Sequence, residues 1–270
     1  MHANKKIITV ALMGDLVGST GRALLKKHLP SLVQQYAIDV TVVNGENCAH
    51  GKGITPTIVK ELLDMGVDVI TSGNHIWDKK EIIPFLKTTD KLLRPLNYPP
   101  HCPGVGATII EKHGISIGIM NLLGRVFMNV HPDCPFRVGL ESIEKMRAKT
   151  NIILVDFHAE ATAEKLGLAY YLDGKISALV GTHTHIQTAD ERILPNGTAY
   201  ITDIGMAGSL NSMIGITIEP MLHKFLTQMP VQHVVANTPP FIMSGVVITI
   251  DTETGKSLSI ERIYCVDQTL

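Results

Sequence analysis

The sequence has little that would mark a secreted, membrane-spanning or nucleic-acid-coating protein. Its cysteines, Cys48, Cys102, Cys134 and Cys265, lack the paired spacing of zinc ribbons or disulfide frameworks, which favours free thiols in a reducing compartment. No apolar run reaches the roughly 18 residues that a membrane helix needs. Aromatic residues make up only 5% and the formal net charge is −1, so no general nucleic-acid or membrane surface is indicated. These absences predict a cytoplasmic protein without a membrane partner.

The first 15 residues, MHANKKIITVALMGD, have the basic start and apolar run of a signal peptide, but only in part. The apolar run is short, stops at Gly14 and Asp15, and is followed by no convincing small-residue cleavage site. We therefore interpret it as the first strand of the fold. The 270 residues are 45% hydrophobic and contain no repeat or convincing linker, which predicts one domain over 1–270.

Short β-rich runs alternate with helical patterns along the first part of the chain. Runs over 7–15, 39–47 and 68–75 are separated by a helical pattern over 20–36 and by a helix that starts at Thr55 and Pro56. Two β–α–β units in succession predict a buried parallel sheet with right-handed crossovers.

The remaining runs complete the predicted architecture. Strands are predicted at 115–124, 151–160, 176–185, 198–206, 245–251 and 257–266, and helices near 137–149 and over 160–172. The last strands have no helix between them, which favours antiparallel pairing near the C-terminus. The fold class is therefore α/β, with two packed, partly mixed sheets flanked by helices. The Pro-rich stretch over 94–104 is expected to be a surface loop.

Polar side chains follow these apolar runs where the strands end. Ligand sites of open α/β sheets lie outside the carboxyl ends of the strands. Any one such residue alone is explained by turn chemistry or by a hydrogen-bonded core histidine. Five strand ends that each carry a metal-capable side chain favour a metal site instead. The residues are Asp15, Glu46, Asn47, Asn74, His75, His158, His183 and His185.

The stretch GTHTH at 181–185 brings two imidazoles to one place. On a continuing strand, His183 and His185 would point to the same face of the sheet; where the strand breaks into a loop, they would curl together. Carboxylate, amide and imidazole groups without thiolate suit iron or manganese, with zinc as the alternative. The candidates are too many for one tetrahedral ion, and the Glu46 carboxylate could bridge two. Two divalent ions would outweigh two carboxylates, and the remaining positive charge suits an anionic phosphate.

Five short blocks, GD, NGEN, GNH, FH and GTHTH, resemble the ordered motifs of the calcineurin-like metallophosphoesterases. The longer forms GDLVGSTGR, NGENCAHGKG, GNHIWDKKEI, DFHAEATAEK and VGTHTHIQTAD are similar to the YmdB-like bacterial phosphodiesterases, over about residues 7–265. The resemblance implies a four-layer α/β/β/α sandwich and a metal-dependent phosphoric diester hydrolase. It also implies small phosphoester substrates, above all cyclic nucleotides of the 2′,3′- or 3′,5′-cyclic AMP type, with RNA ends and phosphomonoesters as alternatives.

The resemblance assigns a role to each strand-end residue. His75 would be the general acid that protonates the leaving oxygen, after attack by a hydroxide that bridges the two metal ions. An imidazole has the pKa range that such an acid needs. The implied ligands are Asp15, Asn47 and His185 for one ion, Asn74, His158 and His183 for the other, and Glu46 as the bridge.

The chain departs from the wider superfamily at a few positions. Leu16 and Val17 follow Asp15 where Asp-x-His is usual, and Glu46 stands where aspartate is usual. The YmdB-like family has the same variant. The acidic residue that usually follows GNH is absent, so Asp78 either orients His75 or is a solvated surface residue.

Other functions fit the sequence less well. A P-loop fails on spacing around Gly45, Gly51 and Lys52, which leaves His50 and Lys52 in a solvated loop near the metal site or in contact with substrate phosphate. Metal-dependent amidohydrolases use H-x-H on an early strand, whereas here it comes late. A metal-bound regulatory or scaffold protein with vestigial hydrolysis is the alternative from another class. Measurable turnover of a phosphoester would distinguish an enzyme from such a protein. The apolar stretch over 205–222 fits either an interface of a homo-oligomer or core packing.

Overall fold

The computed structural model describes residues 5–270, so the first four residues of the stretch compared with a signal peptide lie outside the described part. The helices are α1 (Gly18–Tyr36), α2 (Pro56–Asp64), α3 (Ile82–Phe85), α4 (Pro135–Arg147), α5 (Thr162–Leu172) and α6 (Ile218–Thr227), with a 3-10 turn over Leu86–Thr88. The strands are β1 (Ile7–Met13), β2 (Asp15–Leu16), β3 (Val40–Asn44), β4 (Val69–Thr71), β5 (Ala107–Lys112), β6 (Ile115–Leu123), β7 (Ile152–His158), β8 (Ala178–Thr182), β9 (Arg192–Ile193), β10 (Ala199–Ile201), β11 (Met206–Ser209), β12 (Phe241–Asp251) and β13 (Ser257–Asp267).

These strands form two mixed sheets. The first has the order β2-β11-β12-β1-β3-β4, with β13 paired to β12. Its strands β1, β3 and β4 are parallel, whereas β12 runs antiparallel to β1 and to β13. The second sheet has the order β5-β6-β7-β8-β10-β9, parallel from β6 to β10 and antiparallel at both edges. Both the parallel units and the antiparallel C-terminal pairing predicted from the sequence are confirmed.

The two sheets pack face to face between layers of helices. Along β1, Ile8, Val10 and Leu12 are buried against residues of the second sheet, while Ala11 and Met13 face a cluster that includes buried leucines of α1 and α2. Such alternation is what a strand buried on both faces requires. The outer face of the second sheet packs on α4 and α5. The four-layer α/β/β/α sandwich implied by the resemblance is thereby confirmed.

Strand boundaries differ from the prediction where polar turns intervene. The run over 198–206, predicted as one strand, divides into β10 and β11, which belong to different sheets. The division lies at Asp203, whose Oδ1 accepts a hydrogen bond from the Gly205 N–H at 2.9 Å, and Gly205 has φ 78°. A turn with a left-handed glycine redirects the chain from one sheet to the other. Gly14 separates β1 from β2 within the first sheet.

Two surface segments complete the fold. The Pro-rich stretch is irregular as predicted, but it is anchored, since buried Arg94 donates from Nε to the Pro103 carbonyl at 3.1 Å. Helix α6, which was not predicted, has no buried residue, and Leu226 on it is 84% exposed. None of the helices in the described residues is long and apolar enough to cross a membrane.

Candidate metal centre

The strand-end residues named from the sequence come together where the two sheets meet. Asp15 begins β2, Glu46 and Asn47 follow β3, and Asn74 and His75 follow β4, all in the first sheet. The second sheet contributes His158, the last residue of β7, and His183 and His185, which follow β8. Asp15, Glu46 and His158 are at most 1% exposed. The centre therefore draws on both sheets and is closed to water on most sides.

One half of the centre contains three acceptor atoms that face one another. The Nδ1 atom of His185 lies 2.7 Å from the Ile214 carbonyl oxygen, which can only accept, so we assign the proton to Nδ1 and a lone pair to Nε2. That Nε2 lies 3.2 Å from Asn47 Oδ1 and 3.8 Å from Asp15 Oδ1. The Asn47 amide is fixed in this orientation because its Nδ2 donates to the Gly51 carbonyl at 2.8 Å. Facing acceptors without a donor call for a cation.

The other half contains His158 and His183. The Thr182 hydroxyl donates to Asp156 Oδ1 at 2.7 Å, so it accepts from His158 Nδ1, at 2.9 Å, and leaves a lone pair on His158 Nε2. This Nε2 lies 3.0 Å from His183 Nδ1 and 3.7 Å from Glu46 Oε1.

His183 has a carboxylate partner on its far side. Its Nε2 lies 3.2 Å from Glu160 Oε2, so this carboxylate favours a proton on Nε2, and the Nδ1 lone pair then faces His158. Donation of the non-ligating ring N–H to a carboxylate is the usual way in which proteins orient a metal-binding histidine.

Buried atoms without hydrogen-bond partners mark the same place. Asp15 Oδ1, Glu46 Oε2 and Asn74 Oδ1 are buried and accept no hydrogen bond within the described residues. Unpaired buried acceptors of this kind indicate an ion or a water. No three His, Cys, Asp or Glu side chains among residues 5–270 converge on one point. In the division that the resemblance implies, each half combines two such residues with an asparagine, and this donor set fits two ions that share Glu46.

Burial sets the protonation of these groups before any ion binds. It raises the pKa of Asp15 and of Glu46 well above their usual values, and in both cases it is the largest cause. It lowers the pKa of His158 well below 6.5 and that of His183 to about 4. The imidazoles of His158 and His183 are therefore neutral at neutral pH, as metal binding requires, while the two carboxylates gain most from a nearby positive charge.

The H-x-H pair lies beyond its strand. Strand β8 ends at Thr182, and His183 and His185 have φ 101° and 66°. Of the two arrangements considered for GTHTH, the loop is therefore the one observed. Left-handed backbone at a non-glycine residue costs about 1–3 kcal/mol, and such residues concentrate at functional sites. The turn sends one imidazole to each half of the centre.

A glycine permits the close approach of β4 to β7. A Cβ atom on Gly73 would lie 2.3 Å from His158 Cδ2. Any side chain at Gly73 would therefore displace the His158 ring, so the glycine in GNH is required by packing against the second sheet.

Supporting residues that the sequence did not reveal lie behind the ligands. The buried Asp156 carboxylate accepts hydrogen bonds from Asn44, Thr71 and Thr182, and burial raises its pKa to about 6. Through Thr182 it fixes the tautomer and ring orientation of His158. The only sequence signal was an aspartate inside an otherwise apolar strand.

Replacing Thr182 by Val is expected to weaken metal binding by about 10- to 100-fold. The reason is that His158 Nδ1 loses its hydrogen-bond acceptor, so the imidazole ring is no longer held in its orientation. The measurement is metal affinity by titration of the chelator-treated protein. Thr182→Ser keeps the hydroxyl and serves as the matched control. Equal affinity of the valine and serine variants would contradict this role.

A second supporting pair is fully buried. Lys165 Nζ donates to Asp203 Oδ2 at 2.8 Å, and both side chains are inaccessible to solvent. The same Oδ2 accepts from the Thr184 backbone N–H at 3.1 Å, in the middle of the H-x-H loop. The pair therefore holds the loop that carries His183 and His185.

His75 lies at the edge of the centre. Its backbone N–H donates to Glu46 Oε1, and its Nδ1 lies 3.0 Å from Asp78 Oδ2. Of the two roles considered for Asp78, the structure thus shows the contact that would orient His75. Burial lowers the pKa of His75, while Asp78 opposes that shift.

The model of a protein family described as "YmdB-like protein" matches residues 11–263. The chain belongs to the YmdB-like family. This confirms the resemblance found in the sequence motifs, and the match spans both sheets and every predicted ligand.

Similar proteins agree with the assignment to the YmdB-like family. A Bacillus subtilis protein named 2′,3′-cyclic-nucleotide 2′-phosphodiesterase is 47% identical over 96% of this chain and 97% of its own. The crystal structure of a novel phosphatase from Mycoplasma pneumoniae matches with TM-score 0.92 at 35% identity, over 97% of this chain and 95% of that one. That of a hypothetical protein from Thermus thermophilus matches with TM-score 0.89 at 38% identity, over 96% of this chain and 100% of that one. These similarities confirm the prediction that the chain is an enzyme of the phosphodiesterase class.

Proposed function

We propose that the chain is a dinuclear metal-dependent phosphodiesterase that hydrolyses 2′,3′-cyclic nucleotides. The name of the Bacillus subtilis relative and its 47% identity across nearly the whole chain support the substrate class. The observation that carries the metal-dependent mechanism is a set of facing acceptors, in which Asn47 Oδ1 and Asp15 Oδ1 lie 3.2 and 3.8 Å from His185 Nε2. These acceptors have no donor between them, and a cation is the group that would satisfy them.

The proposed ligands divide between two ions as the resemblance implies. Oxygen and imidazole donors without thiolate support iron or manganese. Ions bound there supply an activated water nucleophile and positive charge that stabilises the phosphoryl oxygens. The residues are Asp15, Asn47 and His185 for one ion, Asn74, His158 and His183 for the other, and Glu46 between them.

His75 is the proposed general acid. Its Nδ1 is engaged by Asp78 at 3.0 Å, which leaves Nε2 to hold the transferable proton. Water adds to phosphorus, the P–O2′ bond breaks, and His75 gives its proton to O2′, so that a nucleoside 3′-phosphate forms. Burial opposes protonation of this ring, whereas Asp78 and an anionic phosphate bound beside it favour protonation.

Replacing Glu46 by Ala tests the shared site. We expect fewer than two ions per chain and loss of 2′,3′-cyclic AMP hydrolysis, because the residue proposed to bridge the two ions is gone. Elemental analysis and initial rates after reconstitution with Mn²⁺ or Fe²⁺ measure the two effects. Glu253→Ala, an exposed glutamate of a distant turn, is the control. A folded Glu46→Ala protein with both ions and full activity would refute the proposal.

A further inference from the structure

A groove of about 320 Å³ adjoins His75. Asp78, the partner of His75, forms part of its wall. The rest of the lining combines basic and aliphatic side chains, chiefly Lys52, Lys79 and His233 with Ile216 and Val231. The groove is therefore continuous with the place where the leaving group would lie, and its lining is suited to an anion attached to an apolar body.

The basic groups of this groove have no internal partner. Within residues 5–270, neither Lys52 Nζ nor Lys79 Nζ forms a salt bridge or a hydrogen bond, and His233 has no side-chain partner either. Burial is the largest cause that lowers the pKa of His75 and of His233, and the positive charge of Lys52 lowers both further. The Asp78 carboxylate is engaged with His75, so the groove keeps a net positive surface.

One wall of the groove is fixed to the metal centre. His50, Gly51 and Gly53 all have left-handed backbone, with φ 58°, 86° and 72°. Asn47 Nδ2 donates to the Gly51 carbonyl, and the Gly53 N–H donates to the Glu46 carbonyl at 2.6 Å. The loop that presents Lys52 is thus held in an unusual conformation by two of the proposed ligands.

The opposite wall is fixed to the same centre. His185 Nδ1 donates to the Ile214 carbonyl, two residues before Ile216 of the wall. The Thr217 N–H donates to the Val234 carbonyl at 2.9 Å and ties this segment to the one that carries His233. Both walls are therefore set at a fixed distance from the reacting phosphate, as a second recognition site on the same substrate requires.

We propose that this groove binds the phosphate one nucleotide upstream of the reacting phosphate, and that the substrate class is an oligoribonucleotide ending in a 2′,3′-cyclic phosphate. The inference rests on the proposed function and deepens it. A cyclic mononucleotide has a single phosphate, which the metal centre engages, so it leaves Lys52 and Lys79 without a counterion. One more nucleotide supplies that anion, and Ile216 and Val231 offer an apolar surface to its sugar and base.

The test compares two substrates, 2′,3′-cyclic AMP and the dinucleotide ApA with a terminal 2′,3′-cyclic phosphate. The wild-type enzyme is expected to have the lower KM for the dinucleotide. The K52A/K79A variant should lose about tenfold in kcat/KM on the dinucleotide for each ammonium removed, mainly through KM, and far less on the mononucleotide. The dependence of log KM on log salt should become shallower by about 0.7 for each phosphate that the variant no longer neutralises. Lys80→Ala, an exposed neighbour that does not line the groove, is the matched control.

The outcomes separate this inference from the proposed function. Equal kcat/KM for the two substrates in the wild type, or equal losses on both in K52A/K79A, would overturn the inference and leave the phosphodiesterase in place. Failure to hydrolyse either substrate with both ions bound would overturn the proposed function. In that case anisotropy of a labelled dinucleotide 3′-phosphate still decides the groove, because weaker binding to K52A/K79A than to Lys80→Ala supports it and equal binding refutes it.

Discussion

The His75→Ala variant is expected to keep its metal content and to lose about 100- to 10,000-fold in kcat on 2′,3′-cyclic AMP. His75 is not among the proposed ligands; its imidazole contacts Asp78 and its backbone N–H contacts Glu46. Truncation at Cβ leaves that backbone contact in place. The loss should therefore fall on proton donation to the leaving oxygen, and metal analysis beside initial rates measures both.

The leaving group makes this prediction specific. Ribose O2′ leaves as a strongly basic alkoxide and needs a proton, whereas p-nitrophenolate leaves without one. On bis-p-nitrophenyl phosphate, His75→Ala should therefore lose much less than on the cyclic nucleotide. The alkaline limb of the pH profile, where the acid loses its proton, should also disappear with the cyclic nucleotide. Equal losses on both substrates would assign His75 a structural role, and exposed His101→Ala controls for histidine removal.

The Lys165→Met variant is expected to lose about 3–5 kcal/mol in the free energy of unfolding. Asp203 is completely buried, and methionine would leave its carboxylate without the ammonium that lies 2.8 Å away. The side chains are similar in length, so little packing is lost. Chemical denaturation of the metal-free proteins measures the effect without a contribution from bound ions.

A double variant tests the cause. In Lys165→Met with Asp203→Asn, the buried charge is removed and the amide oxygen still accepts from Thr184 or Gly205. Removing both charges of a buried pair costs much less than removing one. The double variant should therefore recover most of the lost stability. If it is as unstable as Lys165→Met alone, packing rather than charge sets the stability at this place.

The candidate ligands could be named from the sequence because they follow from one local rule. Parallel strands of one sheet deliver whatever follows them to a common edge, so Glu46 and Asn74 could be placed together without knowing how the sheets pack. His158 follows a strand of the second sheet, and its approach to them depends on the packing of the two sheets. For the H-x-H pair the sequence allowed either a continuing strand or a loop, because periodicity does not show where a strand ends. Thr182 ends β8, and the left-handed backbone of His183 then decides the outcome.

The supporting residues could not be predicted in this way. Lys165 lies in a helix with Glu164 beside it, a pattern typical of a solvated face, and its partner Asp203 is 38 residues away. Only the packing of α5 on the second sheet shows that the side chain points inward. The groove is a similar case, because Lys52 and Val231 share no local pattern and meet only through the loops that hold the ligands. Which residues form such pairs depends on long-range packing, whereas the rule for strand ends uses only local sequence.

The position of the centre between the sheets has a consequence for folding. In the proposed assignment each ion takes ligands from both sheets, Asp15 and Asn47 with His185 in one half, Asn74 with His158 in the other. Each ion would then act as a cross-link between two sheets that are otherwise joined by apolar packing and by hydrogen bonds such as those of Asn44 and Thr71 to Asp156. Metal binding and the association of the sheets would then be linked. Bound metal would stabilise the folded chain by about 2.7 kcal/mol per site when free metal is at 100 times its dissociation constant. The supply of metal would thus set how long the folded chain persists as well as how fast it turns over.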